Sequence, residues 1–176
     1  MERLKQEQVS LLMQIVSDQY PNQQVLHLSD GENDLHKYLF EMTKTRGFEY
    51  DLRLIGEGAA LPFDPSGHPA CTVEPLDLNR KAYNKHARLY EYVFVTVKDS
   101  ILQEDIVQIL KKIFRLMKNS GVLVILPEKG GTLQVEIDRI LEEGYFVAIN
   151  HIDIFDRLDV VNARKMHGWG AYSVGF

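Results

Sequence analysis

The stretch VLHLSDGENDLHKYL, Val25–Leu39, decides how the chain is read. Val25, Leu26 and Leu28 form a short apolar strand, Gly31 marks a turn, and a helix follows from Asp34. Asn33 or Asp34 can cap that helix, and Gly47 is placed to end it. A strand that passes through a glycine turn into a helix opens many nucleotide-binding folds, with its loop, here Ser29–Asn33, beyond the strand's carboxyl end.

The flanking segments extend the pattern. Upstream, Leu4, Val9, Leu11, Leu12, Ile15 and Val16 share one helical face between Glu2 and Gln19, and Pro21 with Asn22 stops that helix. Downstream, FEYDLRLIGEG (48–58) reads as a strand, with Tyr50, Leu52 and Leu54 alternating. Pro62, Pro65, Pro69 and Pro75 mark a loop around a short strand at ACTVE (70–74). LNRKAYNKHARL (78–89) is expected as a short helix and YEYVFVTV (90–97) as a strand. LQEDIVQILKKIFRLMKNSG (102–121) is expected as a helix that Gly121 ends. VLVILP (122–127) is a continuous apolar run, typical of a strand buried on both faces. A helix over 132–144 follows, and two strands around the turn DRLD (156–159) close the chain as a hairpin. Arg164 and Lys165 are expected on an edge strand, where charge blocks stray pairing. The order predicts an α/β fold: a doubly wound, mostly parallel seven-stranded sheet with helices on both faces and a C-terminal antiparallel β-hairpin.

The bulk properties narrow the function. The 176 residues suit one domain, and a formal net charge of -5 disfavours a nucleic-acid partner. Cys71 is the single cysteine, which excludes an internal disulfide and fits a reducing compartment. Neither a signal peptide nor a membrane span is recognisable, so a soluble, cytoplasmic protein is expected.

The order of elements and the opening stretch resemble the class I S-adenosylmethionine-dependent methyltransferases, from about Gln24 onward. That family's pattern is V-L-D-L-G-x-G-x-G, and this chain reads Val25, Leu26, His27, Leu28, Ser29, Asp30, Gly31, Glu32, Asn33. Gly31 keeps the middle glycine, Ser29 is small, and Asn33 replaces the last glycine with the residue that best tolerates positive φ. His27 stands where the family carries an acid. The resemblance implies S-adenosylmethionine as cofactor, bound by Ser29, Asp30, Gly31 and Asn33, with Glu57 as the acid that accepts the ribose hydroxyls. Thr96, Lys98 and Asp99 are the residues it implies after the fourth strand, facing the methyl group. Residues 1–22 form an N-terminal helix, either a lid over the site or a contact in a homo-oligomer, and 23–176 form the Rossmann-like domain.

The local charges agree with a phosphate-free ligand. Asp30 and Glu32 flank Gly31 and would repel a phosphate, which disfavours NAD, whereas S-adenosylmethionine carries a sulfonium and an amine. His68 and Cys71, as a lone H-x-x-C, fall short of the four ligands of a structural zinc, so no metal is expected. His27 has no evident partner to orient it. The basic and aromatic residues of 80–92, Arg80, Lys81, Lys85, His86 and Arg88 with Tyr83, Tyr90 and Tyr92, read as a solvated helix packed by its tyrosines. Two functions stay open: a methyltransferase acting on a small molecule or a protein, or a degenerate, non-catalytic relative that serves as a binding module. The sequence names no catalytic residue.

Overall fold

The computed structural model describes residues 3–56, 63–84 and 86–166. Its strands are β1 (Gln24–Ser29), β2 (Glu49–Leu54), β3 (Cys71–Pro75), β4 (Tyr90–Thr96), β5 (Met117–Ile125), β6 (Phe146–Ile152) and β7 (Val160–Lys165). They form one seven-stranded sheet in the order β3-β2-β1-β4-β5-β7-β6. The first five strands run parallel, and β7 enters antiparallel between β5 and β6. The predicted α/β class and the terminal hairpin are both present.

Side-chain alternation along the strands separates two cores. Val25, Tyr50, Leu52, Phe94 and Val124 pack with α1 (Gln6–Leu12) and α2 (Leu35–Arg46). Leu26, Leu28, Val93, Val95, Leu123 and Ile125 pack with α4 (Ile106–Leu116) and α5 (Thr132–Glu143) on the other face. A further single turn, α3 (Asp99–Leu102), precedes α4. The central strands are apolar at successive positions because both faces are covered. α2 ends as its sequence implies, with Gly47 left-handed at φ 66° and Phe48 N–H donating to the Thr43 carbonyl at 2.9 Å.

Four expectations need correction. The N-terminal helix is shorter than its apolar face, because α1 passes into a 3-10 turn at Met13–Ile15. Beyond it, backbone groups are taken by side chains: Tyr92 Oη accepts from Ser17 N–H, and Arg46 donates to the Val16 carbonyl. Residues 78–89 form no helix among those described. There the Asp77 side chain accepts from Asn79 N–H and the Asn84 side chain from His86 N–H, local bonds that compete with helical ones.

The helix expected to end at Gly121 ends at Leu116. Lys165 Nζ, buried, donates to the carbonyls of Phe114 and Met117 at 2.7 and 2.8 Å, capping the helix from a strand about fifty residues later in the chain. Gly121 instead lies within β5, and Ser120 beside it has φ 60°. Arg164 and Lys165 are accordingly not on an edge strand, since β7 is paired on both sides and Lys165 serves as a helix cap.

Gly121 sits where the pairing of β5 with β4 shifts register, between Tyr90 and Tyr92. A Cβ at this position would lie 2.9 Å from the Lys118 carbonyl and 3.2 Å from that of Tyr90. Gly121→Ala is therefore expected to lower stability by about 1–3 kcal/mol. Urea denaturation checks this, and an unchanged midpoint would show that the bulge has room for a side chain.

Candidate functional site

Three parallel strands deliver their loops to one place. Asp30, Glu32 and Asn33 follow β1, Thr96, Val97, Lys98 and Asp99 come from the end of β4, and Leu126 and Glu128 follow β5. With Arg157 and Leu158 of the hairpin connection they line a cleft of about 260 Å³. It lies beyond the carboxyl ends of the strands, where the connection from β1 turns outward to β2 while β4 lies on its other side. Its size is just below the range of about 300–1,000 Å³ common for ligand sites.

The glycine loop keeps its turn by two different means. Gly31 adopts φ 79°, and its N–H donates to Ser29 Oγ at 3.1 Å. Asn33 does not take the positive φ expected of it. Its side-chain oxygen accepts the Leu35 N–H at 3.1 Å, so it caps α2 instead. Asp34 is turned away from the helix and accepts the Leu4 N–H at 2.9 Å, which ties the N-terminal segment to the start of α2.

The two acids of the loop are engaged. Asp30 accepts the Glu32 N–H at 3.0 Å and the Lys98 N–H at 2.8 Å, joining the loops after β1 and β4. Lys98 Nζ lies 2.8 Å from the Glu32 carboxylate, and this hydrogen-bonded pairing lowers the pKa of Glu32. On the far wall Asp99 accepts the Glu128 N–H at 3.3–3.4 Å, and burial raises its pKa. The lining holds four carboxylates, Asp30, Glu32, Asp99 and Glu128, against two cations, Lys98 and Arg157. The cleft is net anionic.

Beneath it lies a buried polar network that the sequence did not disclose. His27 is fully buried in β1, with Nδ1 2.9 Å from Tyr50 Oη and Nε2 2.7 Å from Thr96 Oγ1. Tyr50 Oη in turn lies 3.4 Å from the His36 carbonyl. One proton order satisfies every member: Nδ1–H donates to Tyr50, Tyr50 donates to His36, and Thr96 donates to Nε2. Burial, with a smaller contribution from His36, holds the His27 pKa well below its ordinary value, so the ring is neutral. The expectation that His27 lacks a partner is corrected. Its partners stand on neighbouring strands, and only their alternation pattern, which turns Tyr50 and Thr96 to the same face, hints at them.

Of the residues expected at a cofactor site, Asp30 and Asn33 line the cleft, while Ser29 and Gly31 shape the turn behind it. Glu57 lies outside the described residues. Thr96, Lys98 and Asp99 all line the cleft. Glu128 and Arg157 were missed. Glu128 could have been found as a residue just beyond a strand's carboxyl end, whereas nothing local singles out Arg157.

The strand order, the antiparallel hairpin and the cleft at the switch point can be set beside solved structures. A methyltransferase from Aquifex aeolicus, dependent on S-adenosylmethionine, superposes with a TM-score of 0.71 at 14% identity, covering 90% of this chain and 89% of that one. The chain has the S-adenosylmethionine-dependent methyltransferase fold. The DszA carbon methyltransferase superposes with a TM-score of 0.69 at 15% identity over 89% of this chain, which spans about half, 51%, of that protein. The [4+2]-cyclase SpnF also shares the fold, with a TM-score of 0.70 and 11% identity, covering 92% of this chain and 81% of that one. No protein-family model and no curated protein matches the sequence.

The neutral, buried His27 makes stability depend on pH. Its folded-state pKa lies below the unfolded value of about 6.5, so its contribution is fully present above that pH and is lost as pH falls. His36 acts with the same sign, and His151, raised by its bonds to Asp138 and Asp159, acts with the opposite sign. His27→Gln is expected to cost about 1–3 kcal/mol at pH 7.5, because buried hydroxyls lose their partner. The variant should also show a shallower fall in stability between pH 7 and 5. Parallel pH profiles of wild type and variant would refute the assignment of a neutral buried ring.

Proposed function

We propose that the protein is an S-adenosylmethionine-dependent methyltransferase acting on a small molecule or a protein. The observation that carries this reading is the net anionic cleft at the switch point of a methyltransferase fold. A cleft lined by Asp30, Glu32, Asp99 and Glu128 suits a cationic, phosphate-free ligand and repels a dinucleotide. S-adenosylmethionine, when bound, supplies a methyl group on a positively charged sulfur.

The chain's own residues would then act as follows. The Gly31 turn, braced by Ser29 and capped by Asn33, holds the backbone against the cofactor, with Asp30 beside it. Glu57 is assigned the ribose hydroxyls. Asp99, with its raised pKa, accepts the proton released by the attacking group of the substrate. Val97, Leu126 and Leu158 exclude water from the cleft.

A second reading, a non-catalytic binding module, is favoured by one feature. Asp30 and Glu32 already have partners within the chain, in the Lys98 backbone and ammonium. The shared fold of SpnF, a cyclase, shows that this architecture serves more than one end.

Calorimetric titration separates the two readings. S-adenosylmethionine and its demethylated product are expected to bind and to raise the melting temperature, while NAD does neither. Lys98→Met should tighten binding of S-adenosylmethionine by about two- to fivefold, because it releases Glu32 and removes a competing cation. Absence of heat and of thermal shift at millimolar ligand would refute the methyltransferase reading and leave the binding module.

A further inference from the structure

A second pocket lies at the opposite end of the sheet. Arg88 N–H and Leu89 N–H donate to the carbonyls of Arg115 and Leu116, so the segment before β4 is fixed against the C-terminal end of α4. Between them is a small pocket of about 50 Å³ lined by Lys81, Tyr83, Asn84, His86, Lys112 and Arg115, among others. Among the described residues that line it there is no carboxylate. In a chain with net charge -5 this concentration of cations is unexpected.

Lys5, Arg53, Lys98, Lys118, Lys129 and Arg139 each pair with a carboxylate. Among the described residues Lys81, Lys112 and Arg115 have no such pair, as Lys37, Lys44 and Arg164 elsewhere on the surface have none, but these three share one pocket. Lys112 is held in place by the Leu78 carbonyl at 2.7 Å, with its ammonium 5.1 Å from the centre of the Tyr83 ring. Arg88, whose N–H is bonded to the Arg115 carbonyl, has a left-handed backbone at φ 58°, a costly conformation for arginine. Like charges gathered in one place repel, and a bound anion relieves that repulsion.

We propose that this pocket binds a single phosphate group, as free phosphate or as the monoester of a small metabolite. The size argues for one tetrahedral oxyanion, since 50 Å³ leaves no space for a nucleobase. Arg115 supplies a planar fork suited to two phosphate oxygens, and Lys81, Lys112 and His86 supply further donors. The tyrosines of this segment are turned inward: Tyr83, Tyr90 and Tyr92 are all buried and offer no face for a base to stack on. The inference stands apart from the methyltransferase reading, because the pocket is at the amino ends of the strands and shares no residue with the anionic cleft.

Titration with inorganic phosphate at constant ionic strength, followed by the amide NMR signals of the whole chain, tests it. Phosphate should shift Tyr83, Asn84 and Arg115 in a saturable manner, with a dissociation constant of about millimolar or tighter. Chloride should not. Arg115→Gln should weaken phosphate binding by about tenfold or more, and Lys81→Gln by less. Lys37→Gln, on the surface of α2, should leave it unchanged. The proposal is overturned if chloride reproduces the shifts, if Arg115→Gln binds phosphate as the wild type does, or if the pocket responds to single-stranded RNA or a phosphopeptide but not to phosphate. A phosphomonoester such as glycerol phosphate, run beside free phosphate, tells the two sources apart: the tighter of the two is the ligand the pocket is shaped for.

Discussion

Strand β1 is hydrogen-bonded in parallel on both sides, to β2 and to β4, and the rest of the molecule follows from that constraint. A parallel neighbour can be reached only by a crossover, and the chain leaves β1 outward to β2 and β3 before returning past it to β4. The loops after β1 and β4 therefore diverge, and the gap between them is a cleft that no side chain had to be spent on opening. Asp30, by accepting the Lys98 N–H, keeps those two loops in register across the gap.

The two pockets at the ends of the sheet differ in the charge of their linings. Carboxylates gather beyond the carboxyl ends, around Asp30, Glu32, Asp99 and Glu128, and cations without carboxylate partners gather near the amino end of β4, around Lys112 and Arg115. A net charge alone averages these two ends into a mildly acidic protein and hides both. Linings of opposite charge suit ligands of opposite sign, a cation at one and an anion at the other.

Much of the fold was legible because its signals are local. Gly47 ended its helix, VLVILP was a buried strand, and the final hairpin followed from two strands in succession. The failures share one cause, which is that a distant part of the chain decided the outcome. LQEDIVQILKKIFRLMKNSG has helical periodicity to Met117, yet Lys165 caps the helix a turn early and the remaining residues join the sheet. Residues 78–89 contain good helix formers, but Asp77 and Asn84 offer the backbone closer partners. The loop Ser29–Asn33 was legible as a turn and as a site, while the function of Asn33 was not, since capping and positive φ favour the same residue type.

The network around His27 has a consequence for how the sheet assembles. Apolar strands are poor at fixing their own alignment, because Val, Leu and Phe satisfy one another at many offsets. A ring with two nitrogens, met by a hydroxyl from each flanking strand, is satisfied at a single offset. Sliding β2 or β4 by one residue would turn Tyr50 or Thr96 to the opposite face and leave a buried imidazole with an empty valence. His27 thus acts as a key between three strands, selecting one alignment from several that the apolar side chains alone would accept.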